Sequence, residues 1–411
     1  MDRRQFLWTG AATLLTGAAR ASAPRPKSLI VVYAHGGWDP TYTFDPKVGT
    51  AISGPQDDPG DPGNPEDVED VVSYGELLVA VNPVKRPHVG AFFDRWSRQT
   101  LAVNGLWAGG IAHLPNTRRA LGGSVDRDQP DAVGVVAGLA DPTLPFGGID
   151  LSGYCRPGPF GTDLGRLGDG WQLGSMLDPD GELGLPDDAA GERVRAYQRS
   201  RAARLASGSS APRWFDERER AAVRREALLA RRGDLLQLLE GRSPRSSNDN
   251  LLLAADLVTN DLCRSVMVDS QQSFDTHANN VDQHPRNDEL FEGLDVLLGQ
   301  LDATGALDST LVVVASEMVR APVRNGSNGK HHWPGLSYLL LGGGISGGRV
   351  IGATDDSYAP VPMDVRAGGL DPVHGEVARY DHLVAGVLQW MDVDPGPWLP
   401  GVAPLGGFGR S

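Results

Sequence analysis

The chain carries a few continuous apolar runs, each stopped by glycine or by a polar cluster. SLIVVYA, Ser28 to Ala34, is rich in β-branched residues and is followed by Gly36 and Gly37, the pattern of a buried first strand leading into a turn. Thr100 to Val103 predicts a second strand, closed by Asn104 and Gly105. Further strands are predicted at Ser265 to Val268, Thr310 to Ala315 and Tyr338 to Leu341, with a helix from Asp288 to Leu301 between the first two of them. Strand, helix, strand in that order implies a parallel pair joined by a right-handed crossover. From about Gly191 to Leu262 the pattern turns helical, with Arg–Glu pairs and with Leu228, Leu229, Leu235, Leu236 and Leu239 at helical spacing, until SPRSSND at Ser243 to Asp249 interrupts it. No internal repeat and no domain linker stands out. The expectation is one α/β domain over 24–411 with a helical insertion at about 191–250.

At 411 residues and 40% hydrophobic content the chain is long and apolar enough to bury a core, and its 53 Gly and 30 Pro point to many or long loops. A net charge of -14 argues against nucleic acid as a partner, because phosphate binding requires a basic surface. It does not argue against a small anionic substrate, since a bound metal resets the local field. The acidic stretch from Gly54 to Asp70 has oxygen donors of the kind calcium accepts, but it lacks the fixed ligand spacing of an EF-hand, so a solvated loop is expected.

The first twenty-three residues read as an address. Arg3 and Arg4 sit in a twin-arginine block followed by an uncharged stretch to Ala19 and a small-residue exit at Ala21, Ser22 and Ala23. The stretch is too short to span a bilayer. A peripheral amphipathic segment or a retained anchor would be the alternatives to a cleaved signal. With cleavage, the mature protein is expected in the periplasm or outside, handed over by the twin-arginine translocation machinery and without an integral membrane span. Cys155 and Cys263 can form one disulfide or remain two buried thiols; sequence leaves both open.

Chemistry concentrates late in the chain. SFDTHANN, with Asp275 and His277, follows one apolar run; ASEMVR, with Glu317, ends another, and GKHHWP brings His331 and His332. In open α/β sheets ligands bind at strand ends, and carboxylates with imidazoles are what divalent metals such as Zn, Mn or Fe accept. Residues two apart on extended backbone point to one side, so Asp275 and His277 can share an ion, whereas the adjacent His331 and His332 diverge. Each group has a plainer role available: Asp39 capping a turn, Asp275 as an N-cap, His277 bonding a carbonyl, Glu317 pairing with Arg320 or Arg324, Asp381 capping the helix that follows it, and His113 as a structural histidine.

HGGWDPTYTFDP from His35 to Pro46, then FDTHANN, SEMVRAP, GKHHWP and GGRVIGATD, resemble a largely uncharacterised family of twin-arginine-exported bacterial proteins within the alkaline phosphatase and sulfatase superfamily. The resemblance is weakest from about Pro145 to Ser247. It implies an alkaline-phosphatase-like α/β fold, a central mixed, mostly parallel sheet between helices, with metal-bearing loops at the strand C-terminal ends. It also implies a divalent metal (Zn, Mn, Fe or Ca) held by Asp39, Asp275, His277, Glu317 and one of His331 and His332. Met318 stands where active relatives place a second ligand. IAHLPNTRRALGGS loosely resembles the sulfatase nucleophile pattern, with His113 in the nucleophile's place and Thr117 beside Arg118, a candidate oxyanion partner. The function implied is metal-dependent hydrolysis of a phosphate or sulfate ester; the alternative is a non-catalytic exported protein that binds another exported partner on a degenerate metal site.

Overall fold

All six residues of β1 (Ser28–Tyr33) are buried, because both faces of the strand are covered. Its side chains alternate between two cores: Ile30 and Val32 enter one, Leu29, Val31 and Tyr33 the other. The computed structural model describes residues 25–166, 174–175, 177–178, 189–206, 212–243 and 246–409; the predicted export segment at 1–23 lies outside them.

Seven more strands join β1 in one sheet: β2 (Thr100–Trp107), β3 (Gly148–Asp150), β4 (Leu164–Arg166), β5 (Ser265–Asp269), β6 (Thr310–Ala315), β7 (Gly335–Gly342) and β8 (Arg349–Ile351). The order across the sheet is β8-β2-β7-β6-β1-β5-β3-β4. Every neighbouring pair is parallel except those made by β7, which runs against β2 and β6. The sheet is mixed and mostly parallel, as expected.

Nine helices are described in full: α1 (Pro87–Trp96), α2 (His113–Gly122), α3 (Ala132–Leu139), α4 (Ala189–Ala206), α5 (Pro212–Ala230), α6 (Arg232–Leu239), α7 (Ser247–Thr259), α8 (Gln283–Ala303) and α9 (Tyr380–Trp390). Phe92, Phe93 and Trp96 of α1 pack with Leu251 and Leu257 of α7 and Leu290, Phe291 and Leu294 of α8 on the face that Ile30 enters. α2, α3 and α9 cover the other face.

The crossover differs from the sequence expectation. β5 and β6 are parallel, but β1 lies between them and pairs with both, Val31 opposite Met267 on one side and Val313 on the other. A local pattern fixes the sense of the connection and says nothing of a third strand inserted between its ends. Between β4 and β5, the described helices α4, α5 and α6 occupy much of the stretch read as an insertion. Buried Arg224 of α5 bonds Asp163 at 3.1 Å and the carbonyls of Ala140, Asp141 and Leu144, which ties this helix to the loops at the far edge of the sheet.

The acidic stretch is also more structured than a solvated loop. Asp57, Asp61, Glu66 and Asp70 face solvent, but Asp58 is buried against Tyr42, His284 and Arg324, and Glu69 pairs with buried Arg86. Cys155 and Cys263 are both buried free thiols. Among the described residues no helix is long and apolar enough to cross a membrane.

One buried ion pair anchors the rim above β1: Lys330 Nζ lies 2.7 Å from Asp39 Oδ2 with both side chains fully covered, and it also donates to the Ser53 carbonyl. Removing one member of such a pair strands the other charge. Lys330→Met is therefore expected to destabilise the fold by about 3–5 kcal/mol, read as a lowered denaturant midpoint with an unchanged slope.

Candidate functional site

The site forms at the rim where the parallel strands end. His35 follows β1, Asp275 and His277 follow β5, Glu317 and Arg320 follow β6, and His113 opens α2 after β2. His332 lies just before β7, which runs the other way and so begins at the same rim. Two glycines permit the approach of these loops. Gly36 has φ +101, and a Cβ there would sit 2.6 Å from the Asp275 nitrogen; a Cβ on Gly329 would sit 1.9 Å from the His277 carbonyl oxygen.

At the centre is Asp275. Its Oδ1 lies 3.2 Å from His277 Nε2, 3.4 Å from His332 Nε2 and 2.7 Å from Arg320 Nη2, and its Oδ2 lies 3.7 Å from His113 Nε2. The Nε2 atoms of His277 and His332 are 2.8 Å apart. Ligand atoms of His113, Asp275 and His332 all fall within 4.8 Å of one another. A tetrahedral zinc site with bonds of 2.0–2.1 Å has edges of about 3.3 Å, so the donor types and their spacing fit a divalent ion.

The second nitrogen of His332 and that of His113 are anchored. His332 Nδ1 donates to the Ile111 carbonyl at 2.7 Å, and His113 Nδ1 donates to Glu317 Oε1 at 2.7 Å, so in their neutral forms both present an Nε2 lone pair. Glu317, 2% exposed, also accepts from the Gly36 N–H at 2.8 Å. Burial works against its charge, but the hydrogen bonds from His113 and Gly36 hold its carboxyl below the ordinary range. The bond to Glu317 raises the His113 pKa against the pull of partial burial. Burial lowers His277 and His332, and the Arg320 charge adds to the effect, so both stay neutral near pH 7. Asp275 is partly desolvated, yet Arg320 and the nearby imidazoles hold its carboxyl below the ordinary range.

Beside this cluster opens a cavity of about 400 Å³, lined among others by His35, His113, Tyr154, Arg156, Arg166 and Asp275. Arg166 sits more than half exposed at its mouth. Burial and the neighbouring Arg118, Arg166 and Arg127 lower the Arg156 pKa, although Asp131 opposes them. Arg156 and Arg166 thus bring positive charge to a lining that also holds Asp275 and Glu317.

The structure gathers His113, Asp275, His277, Glu317 and His332. It does not bring the other sequence candidates to the cluster's donors. The Asp39 carboxylate is fully covered and committed to Lys330, to Asn280 Nδ2 at 2.9 Å and to Thr41 Oγ1 at 2.7 Å, and it caps the turn at Pro40–Tyr42. His331 is exposed, and no bond links it to Asp275; only its ring approaches His277, centroid to centroid 5.7 Å. Thr117 lines the cavity, but its hydroxyl is bound between Tyr33 Oη at 2.8 Å and the His113 carbonyl at 2.9 Å. Arg118 is not among the cavity's lining residues; Arg156 and Arg166 take the place expected for it. Glu317 pairs with His113 rather than with Arg320 or Arg324, which bond Asp275 and Asp58. Asp381 lies in the first turn of α9, paired with Arg379, and is not its cap. Trp333 donates its indole N–H to the Tyr358 carbonyl.

Sequence reasoning missed Arg320 as a site member, the His35–Asp269 pair, and Tyr154, Arg156 and Arg166. The HGG motif named His35 without a role, and SEMVRAP offered Arg320 only as a partner for Glu317; Tyr154, Arg156 and Arg166 fall where the resemblance is weakest.

A carboxylate partner that raises a histidine pKa adds stability that is complete below the unfolded value of 6.5 and is lost as pH rises through the folded value. Glu317→Gln is expected to lower the His113 titration midpoint. In chelator-treated protein, the stability gap between wild type and this variant should be larger at pH 6 than at pH 9. Imidazole NMR titration and denaturation at the two pH values check both.

No curated protein matches the chain in sequence. Among solved structures, it is similar to a protein in the alkaline phosphatase superfamily from Vibrio parahaemolyticus, at 10% identity and TM-score 0.38, covering 90% of this chain and 67% of that one. It is also similar to the alkaline phosphatase of the Antarctic bacterium TAB5, at 10% identity and TM-score 0.37, over 90% of this chain and 99% of that one. A third is the phosphonate monoester hydrolase of Agrobacterium radiobacter, at 12% identity and TM-score 0.34, over 92% and 78%. In sequence, residues 173–367, which include Asp275, His277, Glu317, Arg320 and His332, match the family described as "Protein of unknown function (DUF1501)".

Proposed function

We propose that the protein is an exported, metal-dependent hydrolase of small phosphate or sulfate esters. The observation that carries this reading is the juxtaposition of a metal-compatible donor cluster, His113, Asp275, His277 and His332, with a cavity whose lining includes Arg156 and Arg166. A divalent ion in that cluster would supply Lewis-acid polarisation of an ester oxygen and activation of water. Of the chain's own groups, Arg156 and Arg166 bring positive charge that would attract a tetrahedral anion, with Arg166 Nη2 already donating to the Cys155 carbonyl. Glu317 keeps the His113 ring turned so that Nε2 faces the Asp275 carboxylate. Arg320 holds Asp275 ionised and in place through its 2.7 Å contact.

A water nucleophile suits this arrangement, because the side chains nearest to that role are occupied. Thr117 shares its hydroxyl with Tyr33, and Cys155 is buried with its thiol pKa raised by desolvation and by Asp131. The same fact supports the second reading, a binder that kept the scaffold and the metal cluster without turnover.

Export rests on Arg3, Arg4 and the small-residue exit at Ala21 to Ala23. Replacing Arg3 and Arg4 together by Lys is expected to leave the protein in the cytoplasm, and normal appearance of the pair variant in a periplasmic fraction would defeat this part of the reading. For the site, metal-stripped mature protein should take up about one divalent ion per chain and then hydrolyse p-nitrophenyl phosphate or sulfate. His277→Ala and Asp275→Asn are each expected to weaken metal binding at least tenfold and to remove turnover. Metal uptake without turnover of any ester selects the binder; unchanged metal affinity in both variants rejects the centre.

A further inference from the structure

The cavity that Asp275 and His113 line is also lined by His35, whose histidine–carboxylate pair the proposed centre does not use. His35 Nδ1 lies 2.8 Å from Asp269 Oδ1, and both side chains are largely covered, 23% and 14% exposed. The pairing follows from the sheet: β1 and β5 are parallel neighbours with Tyr33 opposite Asp269, so the loop leaving β1 carries His35 over the end of β5. Behind it the Tyr154 ring stacks at 5.8 Å with 29° between planes, and Tyr33 packs edge-on against Tyr154 at 4.7 Å. The backbone closes the arrangement, with the Phe274 N–H donating to the His35 carbonyl at 2.8 Å.

With Nδ1 committed to Asp269, the ring of His35 keeps Nε2 for the cavity it lines. A carboxylate that orients one imidazole nitrogen and steadies the cationic ring is the standard support for a proton-transfer histidine. The cavity holds the metal-compatible donors His113 and Asp275 with His35, Arg156 and Arg166. An ester seated with its anion between them would direct its alcohol oxygen toward a group able to protonate it.

We propose that His35, oriented by Asp269, is the proton donor to the leaving alcohol. This rests on the hydrolase reading above. In the step, the oxygen of water adds to phosphorus or sulfur as the bond to the alcohol oxygen breaks. The electron pair of the broken bond stays on that oxygen, which takes the proton from His35 Nε2. The proton lost by the attacking water goes to solvent, and solvent returns one to His35. The charged and titratable groups around His35 are Asp269 from β5, Tyr33 from β1, Tyr154 after β3, Glu317 after β6 and Arg286 from α8. The Asp269 bond raises the His35 pKa, partial burial opposes it, and the Asp269 and Glu317 charges favour the imidazolium over the more remote Arg286. Its protonated form therefore persists toward neutral pH.

The test is a series of aryl monoesters, phosphate or sulfate according to which the metal-loaded mature protein hydrolyses, with phenols of increasing pKa from p-nitrophenol to phenol. In His35→Gln the ratio of kcat/KM on the p-nitrophenyl ester, whose leaving group departs unprotonated, to that on the phenyl ester should rise by about thirtyfold or more over wild type. Asp269→Asn should shift in the same direction by less. The basic limb of the wild-type pH profile on the phenyl ester should flatten in His35→Gln. Metal content and melting temperature of both variants, measured alongside, separate a proton-transfer role from a structural one. Equal dependence on leaving-group pKa in wild type and His35→Gln overturns the inference while leaving the hydrolase reading intact. Uniform loss across the series together with lost metal assigns His35 to the architecture of the site and also overturns it. Failure of wild type on every ester removes the hydrolase reading, and this inference with it.

Discussion

The rim depends on one buried guanidinium. Arg320 is fully covered, so its positive charge and five N–H groups must all be answered from within the protein. It donates through Nε to the Gly37 carbonyl at 2.6 Å, through Nη1 to the Lys330 carbonyl at 3.2 Å, and through Nη2 to the Gly36 carbonyl and to Asp275. Those acceptors belong to three separate loops, after β1, after β5 and before β7. A single cation therefore fixes the relative position of the segments that deliver Asp275, His277 and His332, and desolvation makes any arrangement that leaves it unanswered costly. Lys330 does the same one layer deeper, drawing Asp39 and the Ser53 carbonyl together. With the loops held this way, the imidazoles can converge without an ion enforcing it.

The two glycines after β1 are part of the same constraint. Arg320 can reach the carbonyls of Gly36 and Gly37 only because the chain there runs through positive φ, with values of +101 and +85. A Cβ on Gly37 would meet Met318 Cγ at 2.8 Å, so the buried methionine packs closely against this turn. Met318 is a fitted core residue of this turn.

Much of the architecture was legible because it is written in contiguous apolar runs. β1, β5, β6 and β7 and the long helix α8 each announce themselves by burial pattern, and the polar segments that follow or precede them could be placed at strand ends. Short strands such as β3 and β4, three residues each, carry too little pattern to be seen, and with them went Tyr154, Arg156 and Arg166. The order of strands was out of reach for a different reason: insertion of β1 between β5 and β6 is a long-range choice that no local period records. Site residues followed the same divide. Asp275 and His277 are neighbours in sequence and in space, whereas Asp39 was singled out by motif, and its carboxylate turns out to be satisfied by Lys330, whose partner lies 291 positions away. A carboxylate's availability depends on cations elsewhere in the chain, and a motif does not carry that information.

The histidines His277, His332, His113 and His35 of this rim fall into two electrostatic kinds. His277 and His332 are partly desolvated and sit near the Arg320 charge, which favours the neutral ring that a ligand requires. His113 and His35 each hold a carboxylate on Nδ1, Glu317 and Asp269, and are pulled toward the protonated form. Their partners suit them to different tasks, lone-pair donation for the first two and proton holding for the second two. His113 is the member that can pass between these roles, since its Nε2 faces Asp275 while its Nδ1 is tied to Glu317. The position that resembles a nucleophile's place in sequence is thus occupied by a group whose character is set by Glu317, a side chain 2% exposed and 204 residues further along the chain.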